Sequence, residues 1–196
     1  MPFSIAAMAQ QGSIILTPKG IKNVNSNLQI GQDSFRYNTT GSSNVALGSL
    51  ALEFNTEGHS NIATGLFALQ QNTTGTENVA IGVNALLYNR AKSGNIAIGV
   101  DAMKFANNSS TAGFSDNIAI GKSALRGSTT ISANTGTGNI AIGRNSLIAI
   151  TSGSKNIALG SQSLFVNTAG SNNIAIGIPT SPLPMEVFHL MPTMWL

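Results

Sequence analysis

Residues 44–60 read NVALGSLALEFNTEGHS, and this stretch returns along the chain at fixed intervals. Its first five residues recur as NIATG at 61–65, NVAIG at 78–82 and NIAIG at 95–99. A repeat of fixed length predicts an architecture in which one small unit is stacked many times. A weaker copy, NLQIG, begins at Asn27, and the later copies open, at intervals of 17 or 22 residues, with Asn44, Asn61, Asn78, Asn95, Asn117, Asn139, Asn156 and Asn173.

Each unit, numbered from its Asn, combines apolar positions with corner residues. Position 2 is Val or Ile and position 4 is mostly Ile or Leu, so both lie on one face of a short strand. Position 5 is always Gly, which predicts positive φ or a close backbone approach. Position 9 is large and apolar, and an NTxG turn follows in several copies. We expect positions 2, 4 and 9 to fill the interior, Ile98 and Leu86 among them, and Arg144 at position 6 to be exposed.

The sequence therefore predicts an all-β fold, a parallel β-roll or solenoid of about nine coils with a 17-residue repeat and two 22-residue coils. The opening Asn residues are expected to stack as a structural amide ladder, in preference to binding a ligand. Three segments follow from the pattern. Residues 1–26 form an attachment or capping segment, 27–177 the repeat domain, and 178–196 a Pro-rich tail that either caps the last coil or docks on another protein.

Position 3 is Ala in every full copy, although it lies on the strand face opposite to positions 2 and 4. A face turned to water is expected to carry polar residues in some coils. Either the column packs against the same column of other copies in a closed rotational oligomer, or the second segment of the same coil covers it. We expect the former. The interface candidates are Ala46, Ala63, Ala80, Ala97, Ala119, Ala141, Ala158 and Ala175.

The composition argues against several functions. Only 9% of residues are charged, and the net charge of +3 comes from scattered Lys and Arg, so nucleic-acid binding is not expected. Cysteine is absent, which excludes disulfides and Cys-based zinc sites. The apolar stretches are too short to span a bilayer, and the first Lys is Lys19, so neither membrane insertion nor a secretory signal is expected. No nucleophile motif, phosphate loop or carboxylate pair stands out, so we expect no enzyme, cofactor or metal site.

The pattern N-[VI]-A-[IL]-G-x-x-[AS]-L, followed by N-T-x-G, resembles the head repeats of trimeric autotransporter adhesins of the YadA type. It is closer still to repeats of bacteriophage tail-fibre and virion-fibre proteins. The resemblance covers 27–177 and implies a left-handed parallel β-roll with three chains about one axis. GSIILTPKG at 12–20 is also similar to a stretch that precedes such repeats in phage fibres. A coiled-coil stalk and a membrane barrel, expected of an autotransporter, are not found in the sequence.

These features lead to the hypothesis of a trimeric structural fibre or spike on a virion. Its expected partners are other virion or surface proteins, reached through the termini, and a host-surface glycan or protein. One alternative is the head fragment of a bacterial adhesin at the cell surface. Another is a monomeric ice- or surface-binding solenoid, which would need a flat Thr array, whereas the Thr residues here are predicted at corners.

The two 22-residue coils are adjacent, and their extra length falls within 106–116 and 127–138. Insertions at the same corner of neighbouring coils are expected to project on one side. Such loops in solenoids either form a binding face or are passive. Phe114 and Ile131 are the apolar residues in them that we expect to make contact.

Overall fold

A computed structural model describes residues 26–106, 109–129, 134–177 and 188–189. Its strands are two to four residues long and are separated by turns. In chain order they are β1 (Leu28–Ile30), β2 (Val45–Leu47), β3 (Ile62–Thr64), β4 (Val79–Ile81), β5 (Lys92–Ser93), β6 (Ile96–Ile98), β7 (Gly113–Phe114), β8 (Ile118–Ile120), β9 (Ile140–Ile142), β10 (Ile157–Leu159), β11 (Asn173–Ile176) and β12 (Phe188–His189).

One strand from each repeat joins a ten-stranded sheet in the order β1-β2-β3-β4-β6-β8-β9-β10-β11-β12. The strands up to β11 are parallel and pair equivalent repeat positions, as Ala46 does with Ala63. β12 is antiparallel to β11, and β5 pairs with β7 in a separate parallel sheet. No helix occurs in the described ranges. The prediction of an all-β parallel solenoid is confirmed, with about eight turns.

Backbone hydrogen bonds also join successive coils outside the sheet. In the second apolar segment, Leu52 donates its N–H to the carbonyl of Ala68 at 3.0 Å. At the NTxG corner, the three N–H groups of residues 39–41 all donate to the carbonyl of Thr56, each at 3.0 Å. In the 17-residue coils these two sides therefore repeat in the same register as the sheet, which satisfies backbone groups that would otherwise be buried without partners.

The Gly at position 5 is required by both conformation and space. Gly82 has a φ of +132°, and a Cβ built on it would lie 2.7 Å from the carbonyl carbon and oxygen of Gly99. Position 9 also has positive φ, as in Leu69 at 50°. That conformation costs roughly 1–2 kcal/mol for a residue with a Cβ. Complete burial of the Leu69 side chain contributes a comparable amount and offsets the strain.

The predicted repeat domain, 27–177, holds strands β1 to β11. The predicted terminal segments 1–26 and 178–196 lie outside the described residues, except for Ser26 and strand β12.

Candidate interaction surface

The strand face that points into the coil consists of alanine. The position-3 Ala side chains are at most 1% exposed. On the opposite face, Ile62 and Ile81 are 41% and 39% exposed. The prediction that positions 2 and 4 fill the interior is therefore wrong. Position 9 does face inward, as predicted, and its fully buried members are Leu52, Leu69, Leu86, Met103 and Leu147, with Leu125 at 2% exposure.

The narrow cross-section of the coil explains this orientation. A 17-residue unit must close around its own side chains, and the position-9 residue already occupies much of that space. Only small side chains fit beside it, which are Ala at position 3 and Ala or Ser at position 8, as in Ala80 and Ala85. Close packing of this kind leaves no room for a second row of Val and Ile.

This burial corrects the interface prediction. Ala46, Ala63, Ala80, Ala97, Ala119, Ala141, Ala158 and Ala175 belong to one hydrophobic core with the position-8 and position-9 residues. The second segment of the coil covers them, as the alternative interpretation had it. Because their side chains are inside a single chain, they cannot contact another copy.

The surface that remains open is the other face of the same sheet, here called the outer sheet face. It is built from positions 2 and 4 of consecutive coils, and cross-strand neighbours are in register, as Ile96 is with Ile118 and Ile98 with Ile120. Between β2 and β11, Thr64 is the one polar residue on the outer sheet face, and none of the residues on this face is charged. The members are Val45, Leu47, Ile62, Thr64, Val79, Ile81, Ile96, Ile98, Ile118, Ile120, Ile140, Ile142, Ile157, Leu159, Ile174 and Ile176.

Position 6 widens the apolar surface in the middle coils. Leu66, Val83 and Val100 occupy this position in successive coils and are 40%, 38% and 42% exposed. In the next two coils the same position carries the exposed cations Lys122 and Arg144. Position 6 therefore extends the apolar outer sheet face only from Leu66 to Val100, and the two coils that follow carry basic residues there.

The opening Asn residues are hydrogen-bonded to each other inside the fold. Asn61 donates its side-chain amide to Oδ1 of Asn44 at 3.1 Å and to the carbonyl of Gly75 at 2.9 Å. In the long coils the opening Asn residues are also linked through a backbone donor: Asn139 donates its backbone N–H to Oδ1 of Asn117 at 2.8 Å. The buried members, all 0% exposed, are Asn44, Asn61, Asn78, Asn95, Asn117, Asn139 and Asn156, while Asn173 in the last coil is partly exposed.

A second Asn ladder was missed in the sequence analysis. Asn55 donates to Oδ1 of Asn38 at 2.9 Å, Asn72 to Asn55 at 2.8 Å and Asn89 to Asn72 at 3.1 Å. These residues open the NTxG corners and their relatives, and they recur at the same 17-residue spacing as the first ladder. The shared spacing was the sequence signal that could have predicted this second ladder. A residue needed only for a local turn could be replaced by other turn residues from coil to coil, whereas Asn is kept at Asn38, Asn55, Asn72 and Asn89.

The long coils place one predicted contact residue on the surface. Phe114 lies in β7, beside β5, and is 59% exposed. Lys92 of β5 extends its Nζ to 3.6 Å from the position of a Cβ on Gly113. Ile131, the other predicted contact residue, lies outside the described residues.

Titratable side chains are few and dispersed in the part of the chain that the structure describes. Lys104 and Asp101 form an ion pair at 3.3 Å. No group of three His, Asp or Glu side chains in that part is placed to hold a metal ion. No helix in that part is long and apolar enough to cross a membrane.

The described residues thus define a parallel β-solenoid with one apolar outer sheet face. No protein-family model, no curated protein and no solved structure matches the chain.

Proposed function

We propose that this chain is a non-enzymatic structural protein of a virion fibre or spike. In this proposal three copies stand side by side about one axis, each a left-handed β-roll, and pack through their outer sheet faces. The observation that carries the proposal is the continuous apolar face of the sheet from β2 to β11. The trimeric state, the left-handed roll and the location on a virion enter the proposal from the resemblance of the repeat to phage-fibre and trimeric adhesin heads.

An uncovered outer sheet face is costly in water. Monomeric proteins rarely expose contiguous apolar patches beyond a few hundred Å². Ile62, Ile81 and Ile142 remain 41%, 39% and 39% exposed in the single chain, and their neighbours along the columns are of the same type. Removing this area from water contributes roughly 25 cal/mol per Å², which favours association.

A second copy of the chain is the partner that fits this face best. Its columns have the same strand-to-strand rise, so a rotation about an axis parallel to the stack brings Val and Ile rows together coil by coil. Rotational symmetry closes such an assembly and leaves no outer sheet face open. The number of repeats then sets the length of the rod, since eight strand-to-strand steps of about 4.8 Å add up to roughly 40 Å.

The outward side of this assembly would carry the recognition role. The loop bearing Phe114 would occur three times in each trimer, so weak contacts to a host-surface glycan or protein would combine through avidity. A monomeric ice-binding role is not favoured by the outer sheet face, because Thr64 is its only Thr between β2 and β11.

Native mass spectrometry of the full chain tests the trimer. We expect a mass three times that of the 20.2-kDa chain. Ile81→Lys with Ile98→Lys should give a folded monomer, because both side chains lie outside the coil. The matched control is Thr40→Lys with Thr74→Lys at exposed corners, which should remain trimeric. A monomeric wild-type protein would overturn the assembly, and absence of the chain from purified phage particles would overturn the virion role.

A further inference from the structure

The last coil of the solenoid presents an end on which a further coil could stack. Throughout the stack, position 2 donates its N–H to the Asn carbonyl of the next coil, as Ile140 does to Asn156 at 2.8 Å. Position 4 accepts from the next corner Gly, as Leu159 does from Gly177 at 2.8 Å. In the last coil the equivalent groups are the N–H of Ile174 and the carbonyl of Ile176. They form the edge that would bind a next coil.

Strand β12 occupies one part of this edge. His189 pairs with Asn173 and Phe188 pairs with Ile174, and the direction is antiparallel. A coil of the repeat can add only as a parallel strand in register. β12 therefore blocks the position at which the next opening Asn and its strand would bind.

The rest of the last coil stays open among the described residues. Ile176 and Val166 are 74% and 82% exposed, more than any other large apolar side chains in these ranges. A Cβ on Gly177 would meet nothing within 4 Å, whereas one on Gly160 would touch Gly177. The open corner thus retains the shape that accepts another coil.

The opposite end of the stack has the complementary shape. In β1, Leu28 donates to Asn44 at 2.8 Å and Ile30 accepts from Gly48 at 2.7 Å, so both bond toward β2. The backbone of Gln29, between them, faces away from β2. This is the side on which every other repeat strand receives its preceding coil.

We propose that β12 is a stop against end-to-end association of this chain. With β12 on β11, the solenoid is a discrete unit. When β12 leaves, the last coil binds the first coil of a second copy through the same parallel register that joins coils within the chain. The proposal concerns the ends of the solenoid and is independent of side-by-side packing through the outer sheet face.

A disulfide lock tests the pairing, since the chain has no cysteine of its own. Ile174→Cys with Phe188→Cys places two thiols on directly paired residues, and mild oxidation should consume both thiols within one chain. Ile157→Cys with Phe188→Cys, one strand further away, is the matched control and should keep its thiols free. Free thiols in the 174/188 variant, or a bond between two chains, would overturn an in-chain stop.

Release of the stop tests its consequence. Phe188→Pro in the full chain removes a strand donor, and deletion of 178–196 removes the strand. Both should produce assemblies whose masses are whole multiples of the starting unit, seen by analytical ultracentrifugation. Adding Gln29→Pro, which removes the outward N–H of β1, should return them to the single unit. The idea fails if both released variants stay at the wild-type mass, or if the oxidised 174/188 variant assembles as they do.

Discussion

Oδ1 of Asn44 accepts two hydrogen bonds from Asn61, one from the backbone N–H at 2.9 Å and one from the side-chain amide at 3.1 Å. Both residues are 0% exposed, so neither amide can exchange its partner for water. One Asn per coil therefore fixes the vertical register of the stack, because a shift by one residue would leave two donors and one acceptor buried without partners.

Removal of one ladder Asn should be strongly destabilising. Asn61→Ala removes one of the two donors to Oδ1 of Asn44 and one of the two donors to the carbonyl of Gly75. It also removes the acceptor for Asn78, whose buried backbone N–H and side-chain amide bond to Oδ1 of Asn61 at 3.0 and 3.1 Å. Each unsatisfied buried group costs about 1–3 kcal/mol. We expect the free energy of unfolding, measured by denaturant titration, to fall by at least about 2 kcal/mol.

The matched control for this change is Asn167→Ala in the last coil. The described hydrogen bonds of Asn167 stay within its own turn, with Gly170 at 3.1 and 2.9 Å. Its replacement should cost less than about 1.5 kcal/mol. Equal losses for the two variants would contradict a role for the ladder between coils.

Two corner glycines, Gly82 and Gly177, distinguish the cost of positive φ from the cost of a steric clash with the next coil. Gly82→Ala adds a methyl group 2.7 Å from the backbone of Gly99, at a φ of +132°. Gly177→Ala adds the same group at a φ of +127°, with nothing within 4 Å. Strain at positive φ costs roughly 1–3 kcal/mol. We expect Gly177→Ala to lose only that amount in unfolding free energy and Gly82→Ala to lose clearly more. Similar values would mean that coil-to-coil approach is not what requires Gly.

Enlarging the alanine column should disrupt the interior. Ala97 is 0% exposed inside the coil, so Ala97→Leu forces a larger side chain into a filled space. Overpacking of this kind costs typically 1–3 kcal/mol. Arg144→Ala, at an exposed position 6, should change the melting temperature by no more than about 1–2 °C, within the usual small effect of surface changes. A silent Ala97→Leu would show that the strand face is assigned the wrong way round.

Trimming the two long coils should separate folding from recognition. Deletion of 107–111 and of 129–133 restores the 17-residue length, while Asn117 and Asn139 can keep their places in the ladder. We expect the oligomeric mass and the melting temperature to be retained. Binding of labelled protein to a panel of bacterial cells should decrease, as it should for Phe114→Ser alone. Undiminished binding by both variants would place recognition elsewhere in the chain.

Much of the fold could be predicted because the repeat constrains it so strongly. The spacing of Asn44, Asn61 and Asn78 located the one strand of each repeat that joins the large sheet, and the recurring Gly located the corner after it. Equivalent positions of a repeat have equivalent neighbours, so parallel pairing in register followed directly. The predicted burial of position 9, as in Leu86, followed from its size and apolar character.

The sequence by itself determined that positions 2 and 4 share one strand face and position 3 the other, since a strand alternates its side chains. It did not determine which face points inward. Hydrophobicity favoured Val79 and Ile81 as the core, yet the closed coil has space only for Ala80 beside Leu86. That choice depends on the width of the interior, which arises only when the second segment folds back across the strand. Tertiary structure therefore decided that alanine packs inside the coil and that Val and Ile form the outer sheet face.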